Sequence, residues 1–515
     1  MPQKIEIMGI ERFKADARSI ELLTRAQACW GAAAGFRSER ERNKRFTYGD
    51  QWGDRVELDG VWMSEEDVIR SQGNIPLKNN LIRRLVRNVL GVFRGRWVSP
   101  RCDSRDPAER CGAATMQQLL DYNMELNRME EVYARSMEEF LISGMVVHKK
   151  WYGRKGTRVD CWTDTVSPEH FFADFGTRDF RAWDMELIGE IHDLTAARLC
   201  AQFGADEEEC QWLTRLSGGG RCRVYEIWHR AHRFGYRCYD PASGRIFRVA
   251  AADYSQVEKE NERRRHDDIA PIETKWSSWE EWHYMFCGPS GEVLSEGVSP
   301  YAHGSHPYIF KAYPFIDGEI HSFVGDIIDQ QKLTNRLISM YDWILRASAK
   351  GVLLFPEGAL PEGVTIDDIA DEWGRFNGVI VFRPKAGMPL PQQVSSKATD
   401  IGITELLDIQ MKMMEDISGV NGALQGKLDN GSMSGTLYDQ QTRNSLSALA
   451  DLLRSYDDFI REGVVKDASN IRQYYSKRKI CRIIGAAQPG ISLLEESERF
   501  IENEEDFTLR KEEKN

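Results

Sequence analysis

No two cysteines of this chain form a Cys-x-x-Cys pair. The ten, Cys29, Cys102, Cys111, Cys161, Cys200, Cys210, Cys222, Cys238, Cys287 and Cys481, are scattered. That spacing speaks against a zinc knuckle or ribbon. Long hydrophobic runs are missing as well: Val352–Phe355 is far too short to cross a bilayer, and no membrane association is expected. The opening Met-Pro-Gln-Lys-Ile-Glu-Ile-Met has no apolar core of the kind a secretory signal needs, so synthesis in a reducing cytoplasm is expected. Basic excess is lacking too. With 80 acidic against 68 basic residues the net charge is −12, which disfavours a protein that coats nucleic acid. An acidic channel still permits a polyanion to slide, because it does not hold it.

Catalytic signatures are equally scarce. Gly422-Ala-Leu-Gln-Gly426-Lys427-Leu428 resembles a phosphate loop only superficially, since its glycine spacing is one short and Leu428 stands where a hydroxyl must hold magnesium. No Gly-x-Ser-x-Gly elbow occurs. His229-x-x-His232 and His303-x-x-His306 are the paired histidines, and neither pair has further ligands at metal spacing. These are read as sheet-surface and loop histidines; no metal, cofactor or catalytic residue is assigned.

What is present is enough to fold. A chain of 515 residues that is 41% hydrophobic can bury several cores, and two to four structural units are expected. Residues 11–48 begin as a helix and dissolve into the basic stretch Arg37–Arg45. Phe46–Trp52 follows, an aromatic, turn-rich arm. Helical spacing recurs over Lys78–Arg96 and over 112–143. From about 145 the period changes to that of strands: 146–152 and 158–162 around a turn at Gly153–Gly156, then 223–228, 233–239, 245–249 and 282–286. A helical interlude at 194–215 and a very polar segment at 254–268 interrupt this α+β body. No internal repeat is found.

The most informative stretch is 318–466. A helical pattern over 318–350 carries Val324, Ile327, Ile328, Leu337, Tyr341, Ile344 and Leu345 on one stripe. A compact insert follows, with a short acidic helix at 366–373, a strand at Gly378–Phe382 and Pro-rich extended chain at 384–391. A second helix runs from about Ala398 to Ile417. Residues 418–435 hold five glycines in 18 positions, which precludes regular structure over most of them. The next helix places Leu446, Leu449, Leu453, Tyr456 and Ile460 at clean 3,4 spacing.

This order of parts resembles the tailed-bacteriophage portal (head-to-tail connector) family, most closely its P22-type branch. The resembling residues are Asp326–Ser348, Phe376-Asn-Gly-Val-Ile380, Ile417–Gly426, Ser434-Gly-Thr-Leu437 with Gln440-Gln441, Asn43–Trp52, Lys78–Arg87, and Tyr474-Tyr475 through Arg482 to Gly485. The resemblance implies a portal fold. A β-containing wing would occupy 1–317, stem helices 318–350 and 397–418, and a small α/β clip 351–396. A tunnel loop at 419–436, a long helix at 437–466 and a crown or tail at 467–515 would complete it. A long C-terminal helical extension is lacking, which puts a barrel reaching into the capsid in doubt.

The implied assembly is a ring of identical subunits, commonly twelve, at one capsid vertex of a virion made in a bacterial cytoplasm. Double-stranded DNA would pass through it transiently and without sequence preference. A terminase large subunit, the major capsid protein or scaffold, and a head-tail adaptor would be its partners. Within that frame, Lys427, Asn421, Gln425 and Asn430 on the tunnel loop are the candidate DNA contacts. Lys332, Arg336, Arg346 and Lys350 on the first stem helix are candidate channel-facing charges, with ion pairs to Asp329 and Asp342 as the competing reading. Arg83, Arg84, Arg87, Arg94 and Arg96 are read as partners in contacts between subunits. The alternatives are a packaging enzyme of terminase type (ATPase or nuclease) and another head-tail connector ring.

Overall fold

The computed structural model describes residues 13–71, 74–96, 99–204, 206–350, 352–356, 360, 363–374, 379–382, 389–394, 402–420 and 447–485. The fold is mixed helix and sheet, and the chain divides into two compact units. One comprises Met1–Lys44, Val86–Gly325 and Ala423–Asn515; the other comprises Arg45–Leu85 and Asp326–Gly422.

The first unit is built on two antiparallel sheets. In the larger, Val293–Val298, Glu273–Cys287, Cys222–Asp240, Leu187–Leu194 and Phe171–Ala173 pair in that order, and Arg245–Ala250 pairs with the free half of Cys222–Asp240. The segments expected as separate strands at 223–228 and 233–239 are one strand of 19 residues. Its partner Glu273–Cys287 is likewise longer than the expected 282–286. In the smaller sheet, Met145–Lys155 lies between Tyr308–Ala312 and Arg158–Val166. The hairpin closes at Lys155 opposite Arg158, so the turn is tighter and later than the glycines at 153 and 156 led one to expect.

Helices cover these sheets. Ala17–Ala32 starts on a reciprocal cap between Asp16 and Ser19. It buries Leu22, Leu23 and Ala26 against Phe172, Ile191, Ile227 and Met285 of the large sheet. The basic stretch expected to be irregular continues as a second helix, Ala34–Tyr48. Its polar residues find distant partners: Arg40 grips Glu139 with two hydrogen bonds, at 2.7 and 3.1 Å, and Asn43 donates to the Ile142 carbonyl and to Ser322 Oγ. The pattern at 112–143 is two helices, Arg110–Leu126 and Met129–Ser143, separated where Arg128 turns left-handed (φ 51°). The second stops at Gly144, whose φ of 76° admits glycine readily; a Cβ there would lie 2.8 Å from the His321 carbonyl oxygen. The polar segment at 254–268 is a helix, Tyr254–His266.

The helix Ala450–Tyr474 packs across the small sheet. Tyr456 donates to the Tyr133 carbonyl, and Phe93, Phe140, His148 and Phe459 meet around it in edge and tilted contacts. Lys150 points from the sheet into this layer and ion-pairs with Asp467.

The helical pattern expected from 318 begins only at Ile328, in the second unit. Glu319–Ile320 is a short strand and Gly325–Ile327 a 3-10 turn, leaving the α-helix as Ile328–Lys350. At 1.5 Å per residue these 23 residues span about 35 Å. The helix Ile403–Ser418 packs alongside it. The insert between them has a helix, Ile366–Gly374, and a two-stranded ribbon, Val352–Leu354 with Gln392–Val394. Residues 379–382, expected as part of the strand, are irregular, and the ribbon's second strand, Gln392–Val394, lies just beyond the stretch expected to be extended at 384–391.

Candidate functional site

The two long helices of the second unit hold the candidate site. The start of Ile328–Lys350 is fixed by amides, not by an apolar stripe. Gln331 and Asn335, one turn apart and each fully buried, form a satisfied chain. Gln331 Oε1 accepts from the backbone N–H groups of Leu81 and Ile82 at 3.0 and 3.2 Å, capping the helix Leu81–Gly95. Its Nε2 donates to the Asn79 carbonyl and to Asn335 Oδ1. Asn335 Oδ1 also accepts from the Asn79 N–H, and its Nδ2 donates to Gln51 Oε1. Gln51 in turn donates to the Phe46 carbonyl. The aromatic arm at Phe46–Trp52 is thus anchored at both ends within its own unit, with Phe46 and Trp52 nearly inaccessible and Tyr48 between them exposed.

Further along, apolar residues face outward. Met340 and Trp343 of the first helix are exposed, as are Leu406, Ile409, Met413 and Ile417 of the second. The latter four fall at i, i+3, i+7 and i+11, which is a single helix face. A soluble chain rarely leaves such a face bare unless something covers it.

The charges expected along the first helix are not equivalent. Lys332 is 16% exposed and pairs with Asp54 at 2.5 Å and Glu65 at 3.3 Å, with its ammonium 5.6 Å from the Phe46 ring centre. Its carboxylate partners come from far earlier in the chain than Asp329 or Asp342. Arg336 is 58% exposed and only reaches Glu65 at 3.5 Å, so its guanidinium retains open sides. Arg346 and Lys350 lie on the helix, but their side chains are outside the described residues. Asn421, Gln425, Lys427 and Asn430 are outside them as well. The flanks of that loop are described: Ser418 ends its helix at Gly419, which is left-handed at φ 67°.

Several of the remaining candidates already have partners in their own chain. Arg94 pairs with Glu131 and Arg96 with Asp457, while Arg83 lies over the Tyr48 ring. Sequence reading missed the Gln331–Asn335 pair. Its signal was two amides four residues apart inside an otherwise apolar helical pattern.

Glu190, His192 and Glu226, together on the large sheet, have donor atoms within 4.8 Å of one another. A cation already sits there, because the Lys149 ammonium bonds Glu226 Oε2, and His192 Nε2 and Trp228 Nε1 occupy the remaining carboxylate positions at 2.8 and 3.0 Å. Burial works to raise the Glu226 pKa, yet Lys149 and His192 outweigh it and hold the carboxyl well below the usual range. The group is a satisfied ion-pair network between the two sheets.

Of the paired histidines, His232 is exposed on its strand as expected, His303 and His306 are half-buried in the loop at 301–306, and His229 is buried, contrary to expectation. His229 stacks on His283 at 5.8 Å, and burial lowers it to about 4. His303 is held at about 4 by burial and then by nearby Lys466. Fully buried His148 and half-buried His306 lie well below the ordinary value for the same first reason. Each is therefore neutral in the fold but takes a proton below about pH 6.5 when unfolded, so the unfolded state binds more protons and stability falls with acidification. We expect the melting temperature to decline from pH 6.5 to 4.5. Each fully buried histidine contributes up to about 1.4 kcal/mol per pH unit. A melting temperature that is flat over that range would contradict this.

The sequence matches the family model of the phage P22-like portal protein over residues 23–491. The chain belongs to that family, whose role is that of a phage portal, a structural component of the virion. No curated protein matches the chain. Among the described residues no helix is long and apolar enough to cross a membrane.

Proposed function

We propose that this chain is the subunit of a closed ring at one capsid vertex, commonly of twelve copies, through which double-stranded DNA enters during packaging and leaves during ejection. The observation that carries the ring is the bare apolar face of Leu406, Ile409, Met413 and Ile417, beside exposed Met340 and Trp343. Repeated around an axis, such faces bury one another, whereas a monomer leaves them in water. In this reading the segments 318–350 and 397–418 form the stem and 351–396 the clip that meets terminase and later the adaptors. The wing and crown are 1–317 and 467–515, and the helix after the tunnel loop is 437–466.

DNA contact is electrostatic and blind to sequence. Lys427, with Asn421, Gln425 and Asn430, lines the channel from the tunnel loop. On the stem, Arg336 offers the most open charge, and Lys332 acts mainly by bracing the helix through Asp54 and Glu65. Arg346 and Lys350 continue the same row. The mechanism is geometric, and ATP hydrolysis belongs to the terminase partner.

Electron microscopy of the purified protein tests the reading: rings with a central hole of duplex width are expected, with no ATPase activity. Replacing Ile409 and Met413 by glutamate should convert rings to monomers while the far-ultraviolet circular dichroism stays unchanged. Each buried side chain of that size is worth about 1.5–3 kcal/mol per interface, multiplied around the ring. Rings that survive the double substitution would sink the proposed interface, and a wild-type chain that stays monomeric at high concentration would sink the ring.

A further inference from the structure

A groove of about 880 Å³ lies in the first unit between the chain at 100–105 and the helix Ala450–Tyr474. Its floor is apolar, with Phe93, Leu120 and Ile460 nearly inaccessible and Val464 beside them, while Val465 is exposed at the rim. Four arginines line it: Arg96, Arg101, Arg105 and Arg461. Of its two carboxylates, Asp457 is taken by Arg96 at 2.8 Å, and Asp103 stands alone against three arginines. No carboxylate partner for Arg101, Arg105 or Arg461 is found among the described residues. An apolar trench ringed by unpaired guanidinium groups fits an acidic peptide that also carries large apolar side chains.

The chain itself supplies such a peptide. Between Ile491 and Phe507 it has seven carboxylates, at Glu495, Glu496, Glu498, Glu502, Glu504, Glu505 and Asp506, against the single Arg499. Leu493, Leu494, Phe500, Ile501 and Phe507 are interspersed with them. The point of departure is close by. The last described helix, Lys477–Ile484, places Ile483 and Ile484 in the same apolar cluster as Cys102, Leu120, Val464 and Ala468, four residues that line the groove. Five residues, Ala486–Gly490, then link it to the acidic segment, a reach of up to about 17 Å when extended.

We propose that residues 491–507 dock into this groove of their own chain, with acidic side chains on Arg101, Arg105 and Arg461 and leucine or phenylalanine side chains on the floor. The proposal is independent of the ring. The docked tail closes the apolar floor and ties the end of the chain to the helix that follows the tunnel loop.

The test uses the full chain. Chymotryptic cleavage after Phe500 and Phe507 is followed in wild type and in a variant with Arg101→Gln, Arg105→Gln and Arg461→Gln, all three on exposed side chains. Cleavage is expected to be roughly tenfold faster in the variant, and faster in wild type at high salt, with an unchanged unfolding midpoint. Equal rates in both chains would overturn the proposal. In a second arm, the Leu494→Cys variant is oxidised in a mixture of isotopically light and heavy chains. A disulfide joining Cys102 to the thiol introduced at position 494, within single chains, is expected. The same crosslink found in mixed light–heavy pairs at the share random pairing gives, about half for an equal mixture, would overturn docking in the same chain and place the tail on a neighbouring copy. No disulfide at all would count against the groove.

Discussion

Substituting Asp467 by alanine is expected to destabilise the first unit by about 3–5 kcal/mol, because the Lys150 ammonium would stay buried without its counter-charge. Lys150 is 0% exposed and Asp467 4% exposed, and the ammonium's remaining contact is Thr163 Oγ1 at 2.8 Å. Water cannot replace the lost carboxylate at such a site. Burial raises the Asp467 pKa while Lys150 pulls it down, so the carboxylate depends on its partner as the lysine depends on it. Chemical denaturation of Asp467→Ala should show a large fall in midpoint. The paired change Lys150→Met with Asp467→Leu should recover most of it, because two apolar side chains remove both charges. A single variant as stable as wild type would show that the pair is not closed in solution. The pair joins the strand Met145–Lys155 to the helix Ala450–Tyr474, so its loss should also loosen that helix.

Gln331→Leu is expected to cost about 2–4 kcal/mol in the second unit. The substitution leaves the Ile82 N–H without its side-chain acceptor at a buried helix start, removes one of the two acceptors of the Leu81 N–H, and takes one donor each from the Asn79 carbonyl and Asn335 Oδ1. Leucine matches glutamine roughly in volume, so the loss reports hydrogen bonding more than packing. Hydrogen exchange should show faster labelling at Leu81 and Ile82 while Ala17–Ala32 is unaffected. Unchanged exchange there would mean that the amide chain does not fix the helix.

Much of the fold was legible in the sequence where one period ran unopposed. The alternation at 146–152 and 158–162 became the longer hairpin Met145–Lys155 with Arg158–Val166, and the apolar spacing from 449 to 460 became the start of Ala450–Tyr474. Reading failed where distant partners decide. Arg37–Arg45 has no apolar face, yet it is helical, since Arg40 and Asn43 are buried against Glu139, the Ile142 carbonyl and Ser322. The pattern from 318 looked continuous because Val324, Ile327 and Ile328 keep helical spacing. Val324 and Ile327 are buried all the same in a strand–turn–3-10 segment. Residues 392–394 became a strand because Val352–Leu354 offers them a ladder, which local composition does not reveal.

The site divides along the same line. Sequence order alone placed the glycine-rich segment between two helices and supplied the family resemblance that the match over residues 23–491 bears out. It equally determined the acidic balance and the scarcity of catalytic motifs, since these depend only on which residues are present. Only the tertiary structure decided how individual charges are spent. Lys332 and Arg336 share a helix and a sign, and spacing cannot separate them. The carboxylates of Asp54 and Glu65, nearly three hundred residues upstream, turn the first into a brace and leave the second open. An ion pair forms between groups brought together in space, and local sequence carries little record of that distance.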